Sequence, residues 1–125
     1  MLFDTDVLVW AFRGNEKAAK LIDASPERSV SVVTYMGLLQ GARDKKEVKA
    51  IKSFLADLGF EMLPLTENVG HRAAIYMEQH ALKTALCMGD ALVAATAVEG
   101  GLTLCTANRK HYRPIEELEL NIFRP

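Results

Sequence analysis

Apolar and polar positions along this chain fall into blocks of two lengths, which predict two kinds of element. Short apolar runs read as strands: residues 1–3 ending at Asp4, the β-branched run 30–33, residues 61–63 closed by Pro64, residues 102–106 and residues 120–123. Longer stretches carry the helical period. Residues 16–24 place Ala18, Leu21 and Ile22 on one face and stop at Ser25-Pro26. Thr34 reads as the cap of a helix through Met36, Leu38, Leu39 and Ala42. After the charged break at residues 43–46, Val48, Ile51, Phe54, Leu55 and Leu58 form a stripe that ends at Gly59. Residues 67 to about 82 repeat the pattern through Val69, Ala73, Tyr76, Met77 and His80. Residues 89–99 form an Ala-rich helix closed by Gly100-Gly101. Strands alternating with helices predict an α/β fold: a three-layer α/β/α sandwich around a short, mostly parallel sheet.

Composition sharpens this picture. At 125 residues, with 50% hydrophobic and 25% charged positions, the chain has material for one core, and residues 1–125 read as a single domain. Such a composition excludes disordered and collagen-like chains. Fifteen Lys and Arg against sixteen Asp and Glu give a net charge of -1. That balance excludes a polycation and leaves room for an enzyme with an acidic site and a basic rim. No run reaches the ~18 apolar residues of a membrane span, and Asp4 and Asp6 interrupt the region where a signal peptide would be charge-free. A soluble, cytoplasmic chain is expected. Cys87 and Cys105 lack CxxC spacing, sit among apolar neighbours and read as buried thiols.

In a parallel sheet, ligands bind beyond the carboxyl ends of the strands. Few polar residues reach that edge: Asp4 and Asp6 after the first strand, Thr34 after the second, Asp90 opening the Ala-rich helix, and Asn108 with Arg109, Lys110 and His111 after the fourth. The apolar neighbours of Asp90 predict burial. A buried carboxylate must be paired, hydrogen-bonded or metal-bound, so Asp90 reads either as a helix N-cap or as part of a site. Asp4 reads equally as a turn residue or a ligand. Two carboxylates and an amide form a hard-oxygen set suited to Mg²⁺ or Mn²⁺, and the chemistry such sets favour is phosphoester hydrolysis.

Four segments in order, Leu2-Phe3-Asp4-Thr5-Asp6-Val7-Leu8-Val9-Trp10, Ser31-Val32-Val33-Thr34-Tyr35-Met36 before Leu38-Leu39, Met88-Gly89-Asp90-Ala91-Leu92-Val93-Ala94-Ala95, and Leu104-Cys105-Thr106-Ala107-Asn108, together resemble a PIN domain. The variety they are most similar to is the VapC-type toxin of bacterial toxin–antitoxin pairs. That resemblance spans essentially the whole chain. It implies a Mg²⁺- or Mn²⁺-dependent endoribonuclease that cleaves RNA to block translation, acts as a homodimer and is neutralised by a cognate VapB-like antitoxin. It assigns Asp4 as the first metal-binding acid and Asp90 as the third. Asn108 falls in the segment that supplies the fourth polar member, and Thr5 would be a hydroxyl supporting the metal ligands.

The departure from the pattern is Gly37, which stands where similar chains carry Glu, the second acid. The residues themselves mark it as odd, because glycine inside a helix costs about 0.5–1 kcal/mol against Ala. Counted from a cap at Thr34, position 37 is also where a capping box wants Glu or Gln. Either a close neighbour requires the glycine, or a carboxylate has been lost and the chain is attenuated or inactive. Among other features, Arg109, Lys110 and Arg113 with Tyr112 form a basic cluster that would hold RNA phosphate and stack a base, or else a solvated turn. The lysines of residues 45–52 read as a solvated helix face, and His71 and His80 as surface or core-edge residues. Trp10, Phe12 and the stripe of residues 48–58 read as core or as a face for a partner. Two further functions stay open. Asp4-Thr5-Asp6-Val7-Leu8 echoes the DxD motif of haloacid-dehalogenase-type phosphatases, and Gly37 is compatible with a non-enzymatic PIN domain that only binds antitoxin or RNA.

Overall fold

A computed structural model describes residues 1–125. Five parallel strands, β1 (Leu2–Phe3), β2 (Ser29–Ser31), β3 (Glu61–Leu63), β4 (Leu104–Thr106) and β5 (Leu120–Ile122), form one sheet in the order β3-β2-β1-β4-β5. The helices are α1 (Thr5–Phe12), α2 (Glu16–Ala24), α3 (Val32–Gln40), α4 (Lys45–Asp57), α5 (Glu67–His80), α6 (Met88–Glu99) and the single turn α7 (Arg109–Tyr112). Successive residues of a strand point to opposite faces, so even the two residues of β1 serve two cores. Leu2 and Leu104 join Val69, Ala73, Tyr76 and the alanines of α6 on one side. Phe3 and Cys105 join Val7, Leu8, Ala18, Ile22, Ile51 and Leu55 on the other. The predicted α/β layering is therefore the observed one.

Element ends differ from the sequence pattern in instructive ways. Residues 7–10 are apolar without a clear period of their own, and they belong to α1. Its N-cap is Asp4, whose Oδ1 accepts the Thr5 N–H at 2.8 Å. The second strand stops at Ser31, not at Val33. Its partner β3 runs out at Leu63, and Pro64 has no N–H with which to extend the ladder. Ser31, whose Oγ accepts the Val33 N–H at 3.1 Å, caps α3 instead of Thr34. Thr34 lies inside the helix, fully buried, with no partner for its hydroxyl. Gly37 is thus in the middle of α3, and the capping-box expectation for it does not hold.

Cys87 corrects a second expectation. It is the N-cap of α6, its side chain faces outward, and only Cys105 is a buried thiol. The stripe of α4 is core, through Ile51 and Leu55, and the Phe12 ring meets Phe54 edge-on at 5.5 Å. Trp10 remains 43% exposed. Lys45, Lys46, Lys49 and Lys52 are all exposed, as are His71 and most of the α5 surface around it. No helix is long and apolar enough to cross a membrane.

Candidate functional site

Chain order fixes where a crevice opens. From β1 the sheet grows through β2 to β3 on one side, then the chain returns to lay β4 and β5 on the other. The carboxyl ends of β1 and β4 face the reversal, the usual place for a ligand in an open parallel sheet. Asp4 follows β1 directly, and Thr106 ends β4.

These two residues are joined. The Thr106 hydroxyl donates to Asp4 Oδ2 at 2.8 Å and has Asp6 Oδ2 at 3.4 Å, while its oxygen accepts the Asn108 N–H at 3.0 Å. A hydroxyl has one proton to give, and the shorter contact assigns it to Asp4. Asp6 Oδ2 is satisfied by the Ala107 N–H at 3.0 Å and its Oδ1 by the Val7 N–H at 2.7 Å. Asp6 therefore ties the β1–α1 turn to the β4–α7 turn, a structural part that its alternation with Asp4 in the sequence does not reveal.

Asp90 enters from α6. It is the third residue of the helix, not the N-cap, and its Oδ2 reaches back to accept the Cys87 N–H at 3.1 Å. The same oxygen meets His111 Nδ1 at 2.9 Å, and the Tyr112 hydroxyl donates to Oδ1 at 3.3 Å. The Asp90 side chain is 19% exposed, so the deep burial expected from its neighbours is only partial. Tyr112, by contrast, is 1% exposed and cannot stack a base, which corrects that expectation. Its hydroxyl is hydrogen-bonded to Asp90, and it lies near enough to Asp4 to feel that charge. The phenol thus fixes Asp90 from inside the core.

The electrostatics of this edge are unbalanced. Burial pushes the Asp4 carboxyl above the ordinary carboxylate range, the nearby Asp6 charge adds to the rise, and the hydrogen bonds from Thr106 and Thr5 only partly oppose it. Burial raises Asp6 too. Desolvation, then the charges of Asp6 and Asp4, push the Cys105 thiol up to about 12, so it stays protonated. Burial and the carboxylates around it raise the Tyr112 phenol, which remains a donor.

No three Asp, Glu, His or Cys side chains converge closely enough to cage a metal ion. Asp4 and Asp90 leave an open set of two hard-oxygen ligands, the kind that suits a cation keeping several of its waters. Gly37 stands exposed on α3. A Cβ built on it would meet only Thr5 Oγ1, at 3.9 Å, and it lines a groove of about 520 Å³ with Thr5, Val9, Phe12 and Arg13. No close neighbour requires the glycine. Asn108 is half-buried, with no capping bond from its side chain. Arg109, Lys110 and Arg113 are exposed, and none takes part in an ion pair.

Known proteins share this arrangement. The family model described as PIN domain matches residues 1–116. The protein named Ribonuclease VapC10 in Mycobacterium tuberculosis is 32% identical over 123 residues, which is 95% of this chain and 90% of that protein. A toxin-antitoxin complex from Klebsiella pneumoniae contains a chain 25% identical to this one with a TM-score of 0.77, covering 94% and 93% of the two chains. DNA-bound VapBC from Salmonella typhimurium has a chain with a TM-score of 0.82 over 97% and 96%. At 17% identity it speaks to the fold alone. With sequence and fold in agreement, the DxD echo at Asp4 and Asp6 is the first turn of a different fold from the phosphatases, and the chain belongs to the PIN-domain family, among its VapC-type toxins.

Proposed function

We propose that this protein is a ribonuclease toxin that cleaves RNA phosphodiester bonds with a divalent cation, Mg²⁺ or Mn²⁺, at Asp4 and Asp90. The reading rests on one observation: two carboxylates gathered at the sheet's carboxyl edge with no Lys or Arg paired to them. A cation there would polarise the phosphate and lower the pKa of a bound water. Asp4 and Asp90 would hold it, Thr106 orients Asp4, and Asn108 at the head of α7 is the additional polar group. Thr5, next to Asp4, supports the ligands from the Gly37 side. Arg109, Lys110 and Arg113 would neutralise RNA phosphates beside the site and set its register without reading sequence.

Gly37 makes this site one carboxylate short of the family's acidic quartet, so weak metal binding and slow cleavage are proposed. A cognate VapB-like antitoxin as inhibitor, and a homodimer as the working form, complete the reading. The reading of a PIN domain that binds without cleaving draws on the same residue. A fluorescently labelled RNA incubated with the chain under Mg²⁺ or Mn²⁺ titration tests the proposal. Cleavage that rises with metal and disappears in Asp4→Asn is expected. Cleavage that is indifferent to metal and to both carboxylates overturns it, and no cleavage even in Gly37→Glu favours the binding reading.

A further inference from the structure

Among the buried groups that the site reading leaves unused is the Tyr112 hydroxyl. Its ring belongs to the core with Leu2, Leu104, Ile115 and Leu118, where a phenylalanine would pack equally well. The hydroxyl does nothing for that core. Buried with the ring, it must find a partner, and the partner it has is Asp90 Oδ1 at 3.3 Å. We propose that Tyr112 is a positioning residue for the metal site, its hydroxyl fixing the Asp90 carboxylate so that one divalent cation engages Asp90 together with Asp4.

This inference rests on the metal reading above and adds a residue to it. Geometry separates Tyr112 from its neighbours. Of the carboxylates, His111 meets Asp90, through Oδ2, and Thr106 meets Asp4 and Asp6. Tyr112 alone holds Asp90 from the buried side, through Oδ1. Asp90 is fixed twice over, its Oδ2 by Cys87 and His111 and its Oδ1 by Tyr112. With one proton the phenol makes one such bond. Asp90 is therefore held without being neutralised, and lone pairs remain for a cation. Outer partners of this kind typically contribute about 10–100-fold to metal affinity.

Tyr112→Phe removes the oxygen and keeps the ring. Mn²⁺ binding, followed by the loss of its free electron paramagnetic resonance signal, is measured for the unaltered chain and for Gly37→Glu, each with and without Tyr112→Phe. The expected result is a Kd for Mn²⁺ raised about tenfold by the loss of the hydroxyl, with the melting temperature of the metal-free protein nearly unchanged. In an Asp90→Asn background the same substitution should have little further effect, because the ligand it positions is gone. Unchanged Mn²⁺ affinity in Tyr112→Phe overturns the inference and leaves the metal reading standing, as does a lower melting temperature with unchanged affinity. Failure of both Tyr112-containing proteins to bind Mn²⁺ overturns the two together.

Discussion

Carboxylates gather at two places on this molecule. Beside α5, Glu99 and Glu117 converge on Arg72, with Nε to Glu99 at 2.6 Å and Nη1 to Glu117 at 3.0 Å, and the Tyr76 hydroxyl donates to Glu117. There the Tyr76 hydrogen bond and then Arg72 hold the Glu117 carboxyl below its ordinary range. At the carboxyl edge of β1 and β4, Asp4, Asp6 and Asp90 have hydroxyls and backbone N–H groups around them and a single histidine, His111, within reach of Asp90. Burial pushes Asp4 and Asp6 upward. The first cluster carries its own counter-charge and is complete. The second is folded at an electrostatic cost that a cation would offset, and that imbalance, more than the number of acids, is what makes it the candidate site.

Removing a carboxylate from the incomplete cluster should have the largest effect. Asp90→Asn and Asp4→Asn are each expected to reduce metal-dependent RNA cleavage more than about 100-fold, beyond what the loss of an outer partner typically costs. Asp4→Asn should at the same time raise the melting temperature of the metal-free protein, because a buried charge disappears while Asn still caps α1. A lower melting temperature at neutral pH would mean that Asp4 is retained for the helix and not for a ligand.

Supplying a carboxylate should have the next largest effect. Gly37→Glu has room, with the first contact of its Cβ at 3.9 Å. It should increase cleavage at least tenfold at limiting metal, and should favour α3 by about 0.5–1 kcal/mol relative to glycine in a thermal melt. A stabilised but equally slow enzyme would separate the helix effect from the chemistry and remove this position from the site.

The sign of the pH dependence follows from the same imbalance. A carboxyl whose pKa is raised on folding binds more protons in the folded state, so its contribution favours folding at low pH and is lost as pH rises through the folded value. For Asp4 and Asp6 the metal-free protein should lose stability upward from the ordinary carboxylate range. Melting curves across that range with and without Mg²⁺ should diverge as pH rises, with the metal-loaded protein the more stable.

How much of this was legible in the sequence depends on whether the signal is periodic or relational. The α4 stripe and the Ala-rich α6 announce themselves, because apolar spacing maps directly onto a buried face. The end of β2 does not, because it depends on Pro64 just past the neighbouring strand, and the cap of α3 shifts from Thr34 to Ser31 with it. Asp4 and Asp90 are visible as polar residues at the ends of apolar runs. Asp6 reads as more of the same, yet it binds the backbone across the sheet at Ala107. Cys87 reads as buried from its neighbours, although a cap position points it outward. Tyr112 sits in a basic run and reads as a surface aromatic. Only the single turn of α7, which alternates exposed Arg109 and Lys110 with an inward ring, brings its hydroxyl to Asp90.

Disturbing the balanced cluster should have the smallest effect of all. Arg72 is 34% exposed and Glu117 50%, so water screens their attraction, and exposed ion pairs contribute about 0–1 kcal/mol. Arg72→Met should therefore cost at most about 1 kcal/mol in a denaturant melt, and still less in concentrated salt, where the pair is already weakened. It should leave RNA cleavage and Mn²⁺ affinity unchanged, because the groove lined by Arg72, Tyr76 and Glu117 shares no residue with the crevice of Asp4 and Asp90. Glu117→Gln should behave alike, with the Tyr76 hydroxyl donating to the amide oxygen. The contrast between the two clusters then becomes quantitative. Neutralising a carboxylate that already has its cation costs a little stability and no chemistry, and neutralising one that lacks it raises stability and abolishes chemistry. A large loss of cleavage in Arg72→Met would show the two regions to be coupled through α5 and α6, and the distinction between them would fail.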